Sequence, residues 1–453
     1  MESFFDKYIR TVERVDTIKY TGKVTAVRGS LIESEGPHSV IGELCTIHID
    51  STKAKVLAEV VGLSEKTVKL MAYDSTEGIQ VGDVVVASGR MLEVPVGKKL
   101  LGRVLDATAH PCDGKGDLAA EDFYPAIAKV PDPLSKKMIE KRIVTGIRAI
   151  DGLLTVGKGQ RLGIFAGSGV GKSTLTSMIA RNTNADINVI GLIGERGREI
   201  LEFLIRDLGE EGLKRSVIVY ASGDQTPIAK IRAAYVSTAI AEYFRDQGKD
   251  VMLIMDSVTR FCQAQRDIGT LNGEPPQRRG FPASAFTLTQ QLLERTGTND
   301  KGSITAFYTV LVDGGDFDEP VSDTVRGVLD GHVILSRDLF ARQHFPAIDV
   351  LNSVSRLISR VNGTCTKKAI QRVKQWMSTY QAQEDMIITG MYQRGNSVEI
   401  DDAIEHHQAI EDFLCQDVYE VSTISDTLKK LSELSGIEIP ESEYAENPNQ
   451  EVK

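Results

Sequence analysis

The sequence predicts an α/β protein in three parts: a small N-terminal β-barrel, a central sheet covered by helices, and a helical C-terminal domain. Three observations predict this fold class. Residues 19–97 hold short β-type runs separated by turn residues. Residues 98–365 alternate apolar strands with helical stretches, a pattern typical of a mostly parallel sheet covered on both faces. Beyond them the strand signal ends, and residues 366–437 carry apolar side chains at helical spacing.

The chain opens with an amphipathic pattern over residues 1–18, in which Phe5, Ile9, Val12 and Val15 share one helical face. Such a helix could pack on its own barrel or dock a partner, and the sequence favours neither. The barrel strands that follow are predicted from five runs rich in β-branched residues: YTGKVTAV, LCTIHI, AKVLAEVV, KTVKLMA and DVVVAS.

The central part is predicted from five apolar strands: RLGIFA, INVIGLIG, SVIVYAS, VMLIMD and SITAFYTVLV. The segments between them are mostly long enough for helices, and PIAKIRAAYVSTAIAEYFRDQG has apolar residues at helical spacing. Strands that alternate with helices in this way indicate parallel β–α–β units.

The C-terminal part begins with KKAIQRVKQWMSTYQAQEDMII, which places Ile370, Val373, Met377 and Tyr380 on one helical face. DDAIEHHQAIEDFLCQ and STISDTLKKLSELSG predict two further helices. The last stretch, residues 438–453, is polar, acidic and contains proline, so we expect it to be disordered.

Composition excludes several classes of protein. The net charge is −10, which argues against a surface built for nucleic acid. The five cysteines show no metal-ligand spacing and fit reduced thiols in a cytoplasmic protein. The sequence has no apolar run long enough to span a membrane and no secretory signal at its N-terminus.

A phosphate-binding motif, AGSGVGKST at residues 166–174, follows the strand RLGIFA and opens a helix. Its glycines let backbone N–H groups turn towards phosphate oxygens, and Lys172 adds a positive charge near the β- and γ-phosphates. Ser173 can ligate Mg²⁺, and Thr174 can donate to an earlier phosphate. The predicted nucleotide contacts in this loop are Gly167, Ser168, Gly169, Val170, Gly171, Lys172, Ser173 and Thr174.

Two carboxylates follow predicted strands and are candidates for the chemistry beside this loop. Asp256 ends the run VMLIMD, where it could hold Mg²⁺ or cap the strand, and the nearby phosphate loop favours the metal. Glu195 follows INVIGLIG and could polarise an attacking water. An ion pair of Glu195 with Arg196 or Arg198 is an equally good interpretation of the residues alone.

Two residues near the end of the central part could complete a nucleotide site. Arg356, in DVLNSVSR, could stabilise a transferring phosphoryl group or pair with a core carboxylate. Phe345, in HFPAID, could stack on an adenine ring or pack in the core. The residues alone leave both alternatives open.

Together these motifs resemble the flagellar and type III secretion export ATPases, which are similar to the catalytic subunits of rotary ATP synthases. The resemblance covers nearly the whole chain and rests on TGIRAIDGLLTVGKGQRLGIFAGSGVGKST, GERGREILEFL, MDSVTRFCQAQRDI, DTVRGVLDGHVILSR and FPAIDVLNSVSR. A synthase catalytic subunit would be expected to read GERTREG where this chain has GERGREI. The phosphate loop GSGVGKST favours the flagellar branch over the injectisome branch.

The resemblance implies a RecA-like P-loop core that uses ATP and Mg²⁺, with roles for the candidate residues. Lys172 and Ser173 would hold phosphate and Mg²⁺, Asp256 would be the acidic metal partner, and Glu195 would activate water. Arg196 would link Glu195 to neighbouring groups, and Arg356 would reach the nucleotide of the next subunit. Phe345 stands where the family commonly has tyrosine, so the stacking face is kept and the hydroxyl is lost.

The resemblance also implies partners and a location. We expect a ring-forming homo-oligomer, with six copies in the family. If Arg356 of one copy reaches the nucleotide site of the next copy, each interface is head-to-tail, and such interfaces close into rings. The implied partners are a peripheral regulator on the N-terminal helix, a central coiled-coil stalk, the membrane export gate, and secreted substrates with their chaperones. The protein would be cytoplasmic and peripheral to the inner membrane at the flagellar base.

Five functions remain to be compared at this point. The expected one is an ATPase that couples hydrolysis to delivery or unfolding of exported proteins. The alternatives are an injectisome ATPase or a rotary-synthase catalytic subunit, a nucleic-acid translocase, and a structural subunit that binds ATP without hydrolysing it. The negative net charge argues against the translocase, and the presence of Glu195 argues against the structural subunit.

Overall fold

The computed structural model describes residues 18–312 and 316–449. The amphipathic helix predicted for residues 1–18 lies outside this range except for Ile18. In the described part of the chain, no helix is both long enough and apolar enough to cross a bilayer.

A closed six-stranded barrel forms the N-terminal domain, with strand order β1-β2-β5-β4-β3-β6 and antiparallel pairing throughout. Each of the five predicted runs contains one strand, and β2 was missed. Its sequence, LIESE, carries two glutamates, although its Leu31 and Ile32 are buried in the barrel. The strands are β1 Thr21–Arg28, β2 Leu31–Glu35, β3 Glu43–His48, β4 Lys55–Leu63, β5 Val68–Ala72 and β6 Val84–Met91.

The central domain is built on a nine-stranded sheet with the order β19-β18-β12-β17-β15-β13-β14-β8, and β16 pairs with β17 off this path. Neighbours along the order are parallel except β19, which runs antiparallel to β18. The strands are β8 Val104–Leu105, β12 Arg161–Ala166, β13 Ile187–Glu195, β14 Ser216–Ser222, β15 Asp250–Asp256, β16 Gly297–Thr298, β17 Ser303–Leu311, β18 Gly331–Leu335 and β19 Ile348–Ser355. Two small antiparallel pairs flank it, β7 Glu93–Val96 with β9 Asp122–Pro125, and β10 Arg142–Ile143 with β11 Val156–Gly157.

Helices cover both faces of this sheet, as the runs of apolar residues in its strands predict. Along β15, Val251 and Leu253 join one hydrophobic core, while Met252 and Ile254 join the other. The helices of the central domain are α1 Arg148–Leu153, α2 Lys172–Asn182, α3 Gly197–Glu202, α4 Gly209–Lys214, α5 Pro227–Asp246, α6 Val258–Asn272, α7 Ala283–Glu294, α8 Pro320–Val328, α9 Arg337–Ala341 and α10 Ile358–Val361. A π-helical turn, Phe203–Leu208, joins α3 to α4.

Three helices form the C-terminal domain: α11 Thr364–Ile388, α12 Val398–Leu414 and α13 Ile424–Ser435. They pack on the same core as α2, and Ile370 and Val373 of the predicted apolar face are buried there. The barrel, the mostly parallel α/β core and the C-terminal helices confirm the predicted fold class.

The disorder expected over residues 438–453 is wrong for the part that the structure describes, residues 438–449. A 3-10 turn, Glu441–Tyr444, packs against the start of α11. There Glu443 accepts hydrogen bonds from the backbone N–H groups of Cys365 (2.9 Å) and Thr366 (2.8 Å). Its carboxylate therefore caps the helix, a specific interaction that a polar composition does not reveal.

Candidate functional site

The glycine-rich loop, residues 167–171, connects the end of β12 to the start of α2. Gly169 (φ 79°) and Gly171 (φ 88°) have left-handed backbone conformations, which side chains rarely adopt. No atom lies within 4 Å of where a Cβ would stand at either glycine, so the space over the loop is open. No side chain caps α2, and its first N–H groups face this space, as an anion site requires.

Around this loop, the predicted phosphate contacts lie where a nucleotide could reach them. Ser168, Ser173 and Thr174 are exposed. The Val170 side chain is buried in the core, so this residue can offer a ligand only its backbone. Gly167 lies under the Arg337 guanidinium, 2.8 Å from where a Cβ would stand, so a larger residue there would displace the end of that exposed side chain.

Three charged side chains converge beside the loop. Lys172 Nζ lies 2.5 Å from Asp256 Oδ1 and 3.4 Å from Glu195 Oε1. The two acids end β15 and β13, which are adjacent parallel strands, so they share the carboxyl edge of the sheet with the loop. Asp256 is almost fully buried and also accepts a hydrogen bond from Thr309 Oγ1 at 2.7 Å.

This proximity shifts the pKa values of Lys172 and Glu195. Burial lowers the pKa of Lys172, but the Asp256 and Glu195 carboxylates outweigh it and hold that pKa above its ordinary value. Burial and the negative charge of Asp256 raise the pKa of Glu195 to about 7, while Lys172 opposes the shift. A carboxyl group that titrates near neutral pH is suited to accept a proton.

Phe345 lies at the same edge of the sheet. The register places Ala166, the residue before the loop, beside Leu335, and Leu335 beside Ile348. Phe345 comes three residues before Ile348 and is 36% exposed. Its ring packs edge-on against Phe340, with centroids 5.3 Å apart, which leaves ring surface open for a ligand.

Arg356 lies at the opposite, amino edge of the sheet. Because β19 is antiparallel, it ends beside the start of β18, where Ser355 pairs with Gly331. Gly331 is four residues before Leu335, which pairs with the last residue of β12, so Ser355 lies about 13 Å below the end of β12 along the strand direction. Because β19 is two strands away from β12, the two are also separated by about 10 Å across the sheet. Arg356 therefore cannot reach the glycine-rich loop of its own chain. In the described residues its guanidinium makes no ion pair and no hydrogen bond.

Arg196 also lies apart from the cluster. Its side chain is 81% exposed and pairs with Glu199 at 3.5 Å. The structure thus brings together Lys172, Asp256 and Glu195, and leaves the Arg196 guanidinium facing outwards from the same strand end.

Comparisons with known proteins follow the same division of the chain. The β-barrel domain of the ATP synthase alpha/beta family matches residues 24–89, and its nucleotide-binding domain matches residues 146–355. The C-terminal domain of the type III secretion ATPase EscN matches residues 365–433. The flagellum-specific ATP synthase of Treponema pallidum is 53% identical over 433 residues, which cover 96% of this chain and 97% of that protein. The chain belongs to the family of flagellar and type III secretion ATPases.

Both branches of this family are represented among the relatives. A type 3 secretion system ATPase of Xanthomonas euvesicatoria is 46% identical over 414 residues, covering 91% of this chain and 94% of that protein. The assembled ATPase EscN of enteropathogenic E. coli superposes with a TM-score of 0.87 at 40% identity, covering 91% of this chain and all of that one. As a member of this ATPase family, the chain is an ATP-hydrolysing enzyme of the export class.

For this export ATPase, sequence reasoning missed two residues that contact the site. Thr309 binds Asp256, and it is a polar residue in the otherwise apolar end of β17. A polar residue near the end of an apolar strand could have indicated a contact with the site. Arg337 packs on Gly167 from α9, and nothing in the local sequence indicates that contact because it joins distant segments.

Proposed function

We propose that this ATPase is the motor subunit of a flagellar export apparatus and works as a ring, each nucleotide site being completed by Arg356 of the neighbouring copy. The observation that carries the proposal is the position of Arg356. It is at the amino edge of the sheet, while Lys172, Asp256 and Glu195 are at the carboxyl edge. An exposed arginine without an ion pair or hydrogen bond among the described residues is available to another chain.

ATP would bind with its phosphates over the glycine-rich loop, whose open space and uncapped helix fit an anion. Lys172 would move from the two acids to the β- and γ-phosphates, and this would release Asp256 to hold Mg²⁺ together with Ser173. The bound Mg²⁺ would neutralise charge on the phosphate oxygens. Phe345 would give the adenine ring a stacking face.

Glu195 would orient the attacking water and accept its proton. Its raised pKa, its proximity to Lys172 and its place at the strand end support this role. Arg356 of the neighbour would then stabilise charge on the transferring phosphoryl group, a contribution typically worth about 10³ to 10⁵ in rate. Arg196, which follows Glu195, would link Glu195 to neighbouring groups across the interface.

Ring assembly and partners come from the relatives by similarity. EscN has been solved as an assembled ATPase and in complex with its central stalk EscO. We infer a homo-oligomer here too, with six copies as the family implies, and a coiled-coil stalk in its centre. A regulator on residues 1–18, the export gate, and substrates with their chaperones complete the expected partners. The location would be the cytoplasmic side of the inner membrane at the flagellar base.

The flagellar branch is favoured because flagellum-specific relatives reach 53% and 49% identity, whereas type III secretion relatives reach 46% and 44%. The injectisome ATPase is the second candidate on these values. Export of flagellar proteins by a deletion strain that carries this chain would distinguish the two.

A mixing experiment tests the shared site. Glu195→Gln and Arg356→Ala chains should each be nearly inactive, and equal mixtures should recover activity because some interfaces pair an intact Glu195 with an intact Arg356. Random assembly makes such interfaces about a quarter of the total. The control mixes wild-type chains with the Glu195→Gln/Arg356→Ala double variant, which can only dilute activity. Mixed rings that assemble but recover nothing would overturn the proposal.

A further inference from the structure

The loop that carries Phe345, residues 342–346, is held by the C-terminal domain at three points. Arg342 Nη1 lies 3.1 Å from Glu384 Oε1 on α11. His344 Nε2 lies 3.4 Å from Glu411 Oε2 on α12. The Phe345 carbonyl oxygen accepts a hydrogen bond of 2.8 Å from the backbone N–H of Gln416, just after α12.

From these contacts we propose that the C-terminal helices position Phe345 and thereby set the affinity of the site for the base of the nucleotide. The inference rests on the proposed role of Phe345 as the adenine-stacking face. Glu411 is a positioning residue in it, since it contacts His344 of the loop and lies outside the glycine-rich loop and its acidic cluster. The helical domain would then control nucleotide binding at the base and leave the phosphate end unchanged.

The His344 contact is the more buried of the two side-chain contacts. His344 is 5% exposed, and its Nδ1 lies 3.2 Å from the Pro346 carbonyl oxygen, which fixes the ring. Its Nε2 has no hydrogen-bond partner within the described residues, so the Glu411 carboxylate at 3.4 Å is what compensates that buried nitrogen. Loss of the carboxylate would take away the acid that lies next to this buried nitrogen and favour a different position of the loop.

Gln416 connects the same loop to a rigid part of the core. Its side chain is buried, donates to the Gly146 carbonyl oxygen at 2.8 Å and accepts from the Arg148 backbone N–H at 2.9 Å. The Gln416 backbone that holds Phe345 is therefore fixed relative to α1. Glu384 and Glu411, in contrast, belong to the long helices α11 and α12. A movement of these helices would therefore change the contacts of Glu384 and Glu411 with the loop.

The space around these contacts would permit such movement. A cavity of about 290 Å³ lies between the loop and the helices, and His344, Tyr380, His407 and Glu411 are among the residues that line it. Tyr380 of α11 and His407 of α12 stack in parallel with centroids 3.6 Å apart, so the two helices would move as one unit. Glu384 and Glu411 would then shift together and pull on both sides of the loop.

The test compares binding at the base with binding at the phosphates. In Glu411→Ala, the Kd of MgADP should rise about three- to tenfold, as expected for loss of one partly buried polar contact. The Kd of magnesium tripolyphosphate, which lacks a base, should stay unchanged. Glu411→Gln should restore part of the affinity, and Glu405→Gln, an exposed acid on the same helix, should have no effect.

Phe345→Ala separates failure of this inference from failure of the proposed function. If Phe345→Ala leaves the Kd of MgADP unchanged, the stacking role itself is wrong. If Phe345→Ala weakens MgADP but Glu411→Ala does not, or if Glu411→Ala weakens it equally in the Phe345→Ala background, the positioning role is wrong. Arg342→Ala, which breaks the exposed pair with Glu384, repeats the test with a smaller expected rise should Glu411→Ala fail to fold.

Discussion

The two edges of the central sheet carry charges of different kinds. At the amino edge, charged side chains form pairs that link one strand to another: Arg161 with Asp330 (3.2 Å), and Lys158 with Asp250 (2.7 Å). At the carboxyl edge, Lys172 holds Asp256 and Glu195 next to an open loop that offers free N–H groups. The first set connects parts of the fold, whereas the second is a cluster that an anion can reorganise.

Arg356 does not fit the pattern of its own edge. Arg161 and Lys158 at the amino edge are paired, while the Arg356 guanidinium is exposed and makes no ion pair in the described part of the chain. An exposed cation at this edge without such a pair is available to a group on another chain. If Arg356 serves a neighbouring copy as we propose, the difference between the edges teaches that one chain divides its catalytic side chains between two faces.

Arg356→Ala should have the largest effect, because in the proposed ring it would remove the cation that stabilises the transferring phosphoryl group of the neighbouring site. We expect kcat to fall by about 10³ or more, with little change in the Kd of ATP. Steady-state hydrolysis and equilibrium nucleotide binding measure the two quantities. Arg356→Lys should recover little, since a lysine lacks the planar fork of the guanidinium.

Arg360→Ala is the matched control, an exposed arginine four residues further along. Wild-type turnover in Arg356→Ala, or an equal loss of turnover in Arg360→Ala, would show that Arg356 has no specific role in catalysis.

Glu195→Gln should lower kcat by about 10² to 10⁴ while ATP still binds, because a glutamine cannot accept the proton of water. Phosphate release in a single turnover separates this loss from slow product release. Glu199→Gln, one turn further on and paired with Arg196, should keep most of the rate. A Glu195→Gln enzyme with normal turnover would place the base elsewhere.

The carboxyl edge could be predicted from the sequence, and the amino edge could not. Parallel strands end at one edge, so Asp256 and Glu195, each at a strand end, were expected beside the phosphate loop, and they lie there. The place of Arg356 depends on the reversal of β19, which is set by pairing between distant segments. Neither β18 nor β19 was among the predicted strands, since β18 is short and β19 includes polar residues.

Glu443→Ala tests whether charges near the amino edge are purely structural. Glu443 accepts three hydrogen bonds at the start of α11, from the N–H groups of Cys365 and Thr366 and from Thr366 Oγ1. Their loss should lower the free energy of unfolding by about 2 kcal/mol and leave kcat unchanged at temperatures where the protein is folded. Chemical denaturation measures the first quantity. Glu441→Ala, an exposed acid in the same turn, should cost little, and equal costs would show that Glu443 is not a cap.

The pH dependence of kcat/KM should report the carboxyl cluster in the free enzyme. The pKa of Glu195 is about 7, and the base acts only in its ionised form, so kcat/KM should fall about tenfold per pH unit below 7. Glu199 is one of the groups that raise this pKa, so Glu199→Gln should move the acid limb to lower pH by less than about one unit. A limb near pH 4.5 in both enzymes would mean that Glu195 is not the titrating group.

Phe345→Tyr should have the smallest effect of these changes, and for that reason it sharpens the contrast with Arg356 on the same strand. The ring is 36% exposed and packs edge-on against Phe340, so an added hydroxyl has room at the carboxyl edge and the stacking face is unchanged. We expect the KM for ATP to change by less than about twofold, whereas Phe345→Ala should raise it about tenfold by loss of stacking. If tyrosine lowered KM as strongly as alanine raises it, the hydroxyl would be forming a contact with the nucleotide that this chain gives up, and stacking alone would not explain how Phe345 binds the base.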